Sequence, residues 1–365
     1  MVASMRTIAT TGVNEIAARR RGCFSGGTVV AKGQTGLESL VATQSTFRMC
    51  LCAMLGIWVS VSASAANHDS NESSLKRGQY LAETVALCAD CHSAPNNEID
   101  GRPPIAPNYA GIDCPVWGKD ENPRGKDSQD FVTSKLCEPN ITPDPATGIG
   151  GWSKAEIIRA FRDGLRSDGA PLHPSMWLNL RAVSDEDAEA IASFIQTLSP
   201  VAHEQPGRGQ VLSKRMYDAS LRTLPPSPAR TPDRSDEVAY GKYLTDIGRC
   251  RYCHTPNDAP GRERKGKAFT GGARYWVGGR YLPGARVVVT ANLTTHPEGI
   301  GVLSRADFIA LFRERGSGRK VPFSRNTVMP WVAFAGMTDQ DLGAIWSYLQ
   351  TLPPQPTSQP GEYHF

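Results

Sequence analysis

The sequence has 365 residues, of which 40% are hydrophobic and 21% charged. This composition is sufficient to bury at least one core, predicts two, and excludes a disordered or fibrous protein. The formal net charge is +4, but residues 1–65 contain six basic and two acidic residues, so the remainder has 34 of each and is neutral. A neutral chain has no overall attraction to a polyanion, and no nucleic-acid partner is expected.

Residues 49–65 have the pattern of a signal peptide. An apolar run, Met49–Val61, follows Arg48 and precedes the small residues Ala63-Ser64-Ala65. The run is well short of the ~20 apolar residues that a membrane-spanning helix needs. We therefore expect export, cleavage after Ala65 and no transmembrane span in the mature chain. Residues 1–48 show no sustained periodicity and are treated as an N-terminal extension of doubtful relevance, outside the fold.

Two CxxCH motifs, CADCH and CRYCH, are typical of covalent attachment of haem c. Positions i and i+3 share one face of a helix, so two thiols can reach the two vinyl groups of one porphyrin while the adjacent histidine points at the iron. A structural zinc site or a thioredoxin-like redox pair would use the CxxC pair but would not need the histidine after it. Two copies in an exported chain favour two covalently bound haems c, with iron. The attachment residues are Cys88, Cys91, Cys250 and Cys253, and the proximal ligands are His92 and His254.

The flanking sequences show that the chain is an internal duplication. RGQYLAETVALCADCH precedes His92 and YGKYLTDIGRCRYCH precedes His254; Asn-Ile-Thr at 140–142 corresponds to Asn-Leu-Thr at 292–294. Helices are predicted to begin after Ser184 and Thr338, and an earlier pair after Ser153 and Ser304, each with an acid in the first turn. Each repeat thus supplies three main helices and Gly/Pro-rich loops.

A methionine late in each repeat is the candidate for the sixth iron ligand. Met176 lies eight residues before the last predicted helix of its repeat, and Met329 lies nine residues before the last helix of the second. Met337 directly precedes that helix and is better explained as core packing. His173 remains an alternative to Met176 and would give a bis-histidine haem.

Cys114 and Cys137 lie in the longer first connection and have two interpretations. An oxidising compartment favours a disulfide between them, whereas Cys137 could instead be a thiolate ligand to iron. In the corresponding part of the second repeat, seven basic residues between 262 and 286 outnumber the acidic ones. They are interpreted as a mixture of propionate partners and a positive rim for an acidic redox partner.

These motifs, with the stretches NITPDPATGIGGWSKAEIIRAFRDG and DEDAEAIASFIQTLSP, resemble the dihaem class I cytochromes c. The sequence is similar to the cytochrome c subunits of periplasmic alcohol, gluconate and related dehydrogenases over roughly residues 74–354. The resemblance implies thioether attachment at the four motif cysteines and axial ligation by His92, Met176, His254 and Met329. Such subunits usually have a third haem module, which this sequence does not contain, and a Met-Pro pair, which holds at Met329 but not at Met176.

The predicted fold is all-α, with two tandem cytochrome c domains, each of about three main helices around a covalently bound haem. The predicted organisation, after the extension and the signal peptide, is domain 1 at 74–200, a Pro/Arg-rich linker at 201–235, domain 2 at 236–354 and a C-terminal tail at 355–365.

The predicted function is electron transfer in the periplasm, by a protein that is soluble or peripherally attached to the inner membrane. Electrons would enter from a periplasmic dehydrogenase and leave to a soluble cytochrome or a terminal oxidase. The alternative is a dihaem redox enzyme, similar to a thiosulfate dehydrogenase or a peroxidase, with an unusual ligand at the first haem. An electron carrier is favoured over an enzyme, and no catalytic residue is assigned.

Overall fold

The computed structural model describes residues 72–112, 138–172, 177–205, 217–218, 221, 226–259, 262–277 and 286–360. The predicted extension and signal peptide, together with Cys114, Cys137, His173 and Met176, lie outside the described residues. All described residues fall within one compact unit, 59–365. Residues 72–205 are termed repeat 1 and residues 226–360 repeat 2.

Repeat 1 consists of helices joined by irregular segments. Its first helix covers residues 72–80 and continues into a π-helical turn at Leu81–Val85. The motif helix is Cys88–His92, the third helix is Lys154–Asp163 and the last helix is Asp185–Gln196. A 3₁₀ turn at Leu180–Ala182 precedes the last helix.

Repeat 2 follows the same order and adds two short antiparallel hairpins. Its helices and 3₁₀ turns are Glu237–Ile247, Cys250–His254, Ile300–Val302, Arg305–Arg315, Phe323–Arg325, Trp331–Ala335 and Asp339–Leu349. Strand Asn257–Ala259 pairs with Arg262–Glu263, and Arg274–Val277 pairs with Arg286–Val289. The fold is therefore rich in helix, as predicted, but the all-α prediction did not include these strands. The second hairpin joins RYWV to RVVV, whose β-branched and aromatic residues favour a pleated surface.

The predicted helix starts are confirmed. Ser153 and Ser304 form complete capping boxes, in which the hydroxyl accepts the backbone N–H three residues later and the acid there accepts the serine N–H. Ser184 and Thr338 also accept the N–H three residues later. Such caps satisfy N–H groups that the first helical turn leaves without partners, so these boundaries are fixed by local sequence.

The first and last helices of each repeat cross where a glycine allows close approach. A Cβ atom on Gly78 would lie 2.0 Å from the carbonyl oxygen of Ala190, and one on Gly241 would lie 1.8 Å from that of Ala344. Aliphatic side chains from both helices fill the core beside each crossing, among them Leu81, Val85, Ile191, Ile195, Leu244, Ile247, Leu342 and Ile345. Since each motif helix follows the first helix after only two residues, the crossing also fixes where the motif begins.

The two repeats contact each other through a reciprocal pair of hydrogen bonds. The Tyr80 hydroxyl donates to Oδ2 of Asp341 at 2.6 Å, and the Tyr243 hydroxyl donates to Oδ2 of Asp187 at 2.7 Å. Each tyrosine belongs to the first helix of one repeat, and each aspartate to the last helix of the other. The duplication is therefore visible in the contact between the repeats as well as within each of them.

The charges at this contact are compensated unequally. Arg77 donates to both carboxylate oxygens of Asp187, at 2.9 and 2.8 Å. Burial opposes ionisation there, but the Arg77 hydrogen bonds hold the pKa of Asp187 below its usual value. Asp341 is fully buried, and Arg234 lies 3.8 Å from its Oδ1, farther than a hydrogen bond. Its second tyrosine contact, from Tyr240, is longer at 3.4 Å. Asp341 thus depends more heavily on Tyr80 than Asp187 does on Tyr243.

This difference predicts unequal costs for two equivalent substitutions. Tyr80→Phe should lower the free energy of unfolding by about 2–3 kcal/mol, because a buried carboxylate loses its shortest hydrogen bond. Tyr243→Phe should cost about 1 kcal/mol, because Asp187 keeps its two bonds from Arg77. Urea unfolding of both variants measures the two losses, and equal losses would contradict the unequal compensation.

Candidate functional site

Each CxxCH motif forms a short helix whose start is set by a residue in the left-handed region. Leu87 has φ 60° immediately before Cys88, and Arg249 has φ 62° immediately before Cys250. This conformation costs a residue with a side chain about 1–2 kcal/mol, so it persists only where the surrounding structure holds it. The turn ends the first helix and begins a new one, on which both thiols of a motif share a face.

The four motif thiols are unpaired and partly buried. Burial raises the pKa of Cys88 and Cys250 to about 12, and it also raises the pKa of Cys91 and Cys253. Burial therefore favours the protonated form of each thiol. The structure has no disulfide within either motif. Among the described residues, no group of three or more His, Cys, Asp or Glu side chains is placed to hold a metal ion.

Each motif histidine is oriented by a backbone carbonyl. Nδ1 of His92 lies 2.7 Å from the carbonyl oxygen of Pro139, and Nδ1 of His254 lies 2.8 Å from that of Ala291. A carbonyl oxygen can only accept, so Nδ1 carries the hydrogen and Nε2 keeps its lone pair. Burial also lowers the pKa of both imidazoles, although the same hydrogen bonds oppose this. A neutral ring with Nε2 free is the form that ligates iron.

The Asn-x-Thr sequences that matched between repeats shape the turn behind these carbonyls. The side-chain oxygen of Asn140 accepts the N–H of Thr142 at 2.9 Å, and Asn292 accepts that of Thr294 at 2.8 Å. The Asn140 amide donates to the carbonyl of Val201, and the Asn292 amide to that of Gln355, each at 2.8 Å. The segment after the last helix of each repeat therefore binds the asparagine that follows this carbonyl.

Two further positions support the motif helices and were not identified from the sequence. The N–H of Gly111 donates to the carbonyl of His92 at 2.8 Å, and that of Gly271 to the carbonyl of His254 at 2.9 Å. Both glycines have positive φ, 86° and 70°. Each lies two residues after a buried aromatic residue with positive φ, so the aromatic-x-Gly spacing, NYAG in repeat 1 and AFTG in repeat 2, is the signal that could have found them.

Of the two candidate methionine ligands, only Met329 lies among the described residues. It is partly buried against the core, and its carbonyl accepts the N–H of Trp331 at 2.8 Å. Met337 is fully buried in the core, as expected for packing. The residues that are placed, reduced thiols at i and i+3 beside a neutral and oriented imidazole, fit a c-type haem in both repeats.

Several basic residues of the second repeat's loop are bound within that repeat. Arg264 pairs with Asp258 at 3.0 Å, and Lys267 donates to the side chain of Gln355 at 3.2 Å. Lys265 is exposed. The predicted positive rim is therefore reduced by internal pairing.

None of the helices in the described part of the chain has the length and apolar character that a membrane crossing requires.

No protein-family model matches the chain. It is similar to the cytochrome c subunit of a quinone-dependent alcohol dehydrogenase from Gluconacetobacter polyoxogenes, with 30% identity over 321 residues, 83% of this chain and 61% of the relative. It is similar to the cytochrome c subunit of gluconate 2-dehydrogenase from Pantoea cypripedii, with 29% identity over 81% of this chain and 64% of the relative. A dihaem c-type cytochrome from Cereibacter sphaeroides is 26% identical over 73% of this chain and 82% of the relative.

The similarity to cytochrome c subunits of dehydrogenases and to a dihaem cytochrome c is thus confirmed across most of the chain. The chain spans about 60% of the length of the alcohol dehydrogenase subunits that it matches.

The close approach of Gly271 to the carbonyl group of Ala291, which binds His254, predicts a loss of stability in Gly271→Ala. A Cβ at Gly271 would lie 2.6 Å from the carbonyl carbon of Ala291, whereas one at Gly266 would meet nothing within 4 Å. Both glycines have nearly the same φ, 70° and 71°, so alanine adds similar backbone strain at each. Gly271→Ala should therefore lower the free energy of unfolding by about 2 kcal/mol more than Gly266→Ala. Equal losses of unfolding free energy in denaturant titration would contradict a steric conflict with Ala291.

Proposed function

We propose that this chain, a relative of the cytochrome c subunits of dehydrogenase complexes, is a dihaem c-type cytochrome that transfers electrons. One haem would be attached to Cys88 and Cys91 and the other to Cys250 and Cys253. The observation that carries the proposal is the repetition of one geometry, in which reduced thiols at i and i+3 adjoin a histidine whose Nδ1 is held by a carbonyl. Neither a redox disulfide nor a zinc site needs a histidine directly after the CxxC pair.

The proposed axial ligands are His92 with Met176 and His254 with Met329. Haem supplies the one-electron chemistry when it is bound, and a thioether ligand favours the ferrous state and raises the potential. The chain's own residues orient the imidazoles, keep them neutral and bury the attachment sites. The proposed role is that of an electron carrier.

The proposed electron donor is a periplasmic dehydrogenase, and the acceptor is a soluble cytochrome or a terminal oxidase. The names of the relatives support a dehydrogenase as partner. The signal-peptide pattern at residues 49–65 supports export to the periplasm, where the mature chain would be soluble or peripheral to the inner membrane.

The haem content of the mature protein tests the proposal directly. Intact mass should exceed that of the polypeptide by two haems, and both should resist extraction with acidified acetone because thioether bonds hold them. The double variant Cys250→Ala/Cys253→Ala is the matched control, and its mass should fall by one haem. An increment of one haem in the unaltered protein, or loss of colour on extraction, would refute the proposal.

Met176→His separates the carrier from the enzyme alternative. If Met176 ligates the first iron, this variant should keep that haem low-spin and lower its potential, because imidazole stabilises ferric iron more than a thioether does. The second haem should keep its potential, since its proposed ligands lie in repeat 2. Redox titration followed by absorbance measures both. An unaltered first potential would mean that His173 or Cys137 holds the iron and would favour the enzyme.

A further inference from the structure

The loop that follows the first CxxCH motif contacts the segment of repeat 2 that contains Met329. Asn326 is fully buried, and its amide donates to the carbonyls of Asn97 and Ile99 at 2.9 and 2.8 Å. Its side-chain oxygen accepts the N–H of Gly101 at 3.0 Å. One side chain of repeat 2 therefore binds three backbone groups of repeat 1 and fixes the loop at 97–101.

Asp100 in this loop adds a buried charge to the contact. It is 1% exposed, and its Oδ2 lies 2.8 Å from Nη2 of Arg315 and 3.1 Å from Nη2 of Arg319. Its Oδ1 accepts the hydroxyl of Thr327 at 3.1 Å. A buried carboxylate with these partners cannot move without breaking charge-assisted bonds, so the loop and the segment near residue 327 are held together.

The same network contacts the residues on both sides of Met329. The Thr327 hydroxyl also accepts from Nε1 of Trp331 at 3.1 Å, and the Arg315 guanidinium lies 5.0 Å from the centre of the Trp331 ring. Met329 lies between Thr327 and Trp331 in sequence. A Cβ on Gly101 would lie 2.3 Å from the carbonyl oxygen of Met329, so the two backbones are in direct contact.

The residues after each CxxCH motif pair with one another. In repeat 1, residues 94–96 pair with 103–105 on either side of the loop at 97–101, and in repeat 2 Asn257 is opposite Glu263. Arg251 and Arg264 form ion pairs there with acidic residues of the same repeat. Asp100, in the corresponding loop of repeat 1, instead pairs with two arginines of repeat 2.

We propose that residues 97–101 position Met329, so that the potential of the second haem depends on a loop that begins five residues after the proximal histidine of the first. The inference rests on the proposed function, in which Met329 is the sixth ligand of the second haem. Groups that orient a metal ligand tune the metal without touching it, and here those groups come from the other repeat. Asp100 and Gly101 are positioning residues in this sense.

Gly101→Ala tests the backbone contact. The added methyl must displace the carbonyl of Met329, which should weaken the thioether-to-iron absorption band in the near infrared and lower the potential of the second haem. The potential of the first haem should not change. Gly169→Ala is the matched control, because Gly169 has φ 79° against 82° for Gly101 but no atom within 4 Å of its Cβ position. Gly169→Ala should leave the potentials of both haems unchanged.

Thr327 provides a second test that keeps the size of the side chain. Thr327→Val removes the hydroxyl shared by Asp100 and Trp331, and it should lower the same potential and weaken the same band. Thr327→Ser restores a hydroxyl and should return both toward the values of the unaltered protein. If Gly101→Ala gives no folded protein, the Thr327 pair decides the question.

Met329→His identifies which redox wave and which share of the near-infrared band belong to the second haem. If that variant leaves the band intact, Met329 is not a ligand and the ligand assignment under the proposed function fails. If Met329→His removes its share of the band while Thr327→Val and the folded Gly101→Ala leave the second potential and the band unchanged, the ligand assignment stands and the positioning role is overturned.

Discussion

An imidazole presents one nitrogen reliably to a metal only when its other nitrogen is already occupied. In this protein the occupying group is a backbone carbonyl in each repeat, that of Pro139 for His92 and that of Ala291 for His254. Much of each repeat serves to hold that carbonyl. The Asn-x-Thr turn shapes the chain after it, a glycine with positive φ packs against it, and the segment beyond the last helix closes over the asparagine. The motif helix itself has only five residues and could not hold its position alone.

The repeats are joined through polar groups that are buried together with their partners. Removing such a partner is costly, because a carboxylate without hydrogen bonds cannot remain charged in the interior. Asp187, Asp341 and Asp100 each lie at a contact between repeats and each bind groups from the other repeat. This makes the relative position of the two motif helices specific, since a shifted arrangement would leave at least one buried charge without compensation.

Local features of this fold were predictable from the sequence, and long-range ones were not. The serine and threonine caps and the buried Met337 follow from residues close to each other in the chain. The hydrogen bond between Tyr80 and Asp341 spans 261 positions, and no local sequence pattern predicts it. The support of His92 comes from a carbonyl, which every residue possesses, so side-chain identity could not reveal it. The left-handed Leu87 and Arg249 are also unpredictable, because neither residue type favours that conformation.

The reciprocal Tyr–Asp contact has the form of an isologous interface, in which residue i of one body meets residue j of the other and j meets i. Two separate copies of one repeat would make such a contact as a twofold-symmetric dimer, and would lose translational and rotational freedom in doing so. Joining the copies in one chain makes their association intramolecular, with an effective concentration set by the connecting segment. The sequences of the two repeats can then diverge while the repeats stay in contact. The bidentate Arg77 on one side and the more distant Arg234 on the other are a difference of this kind.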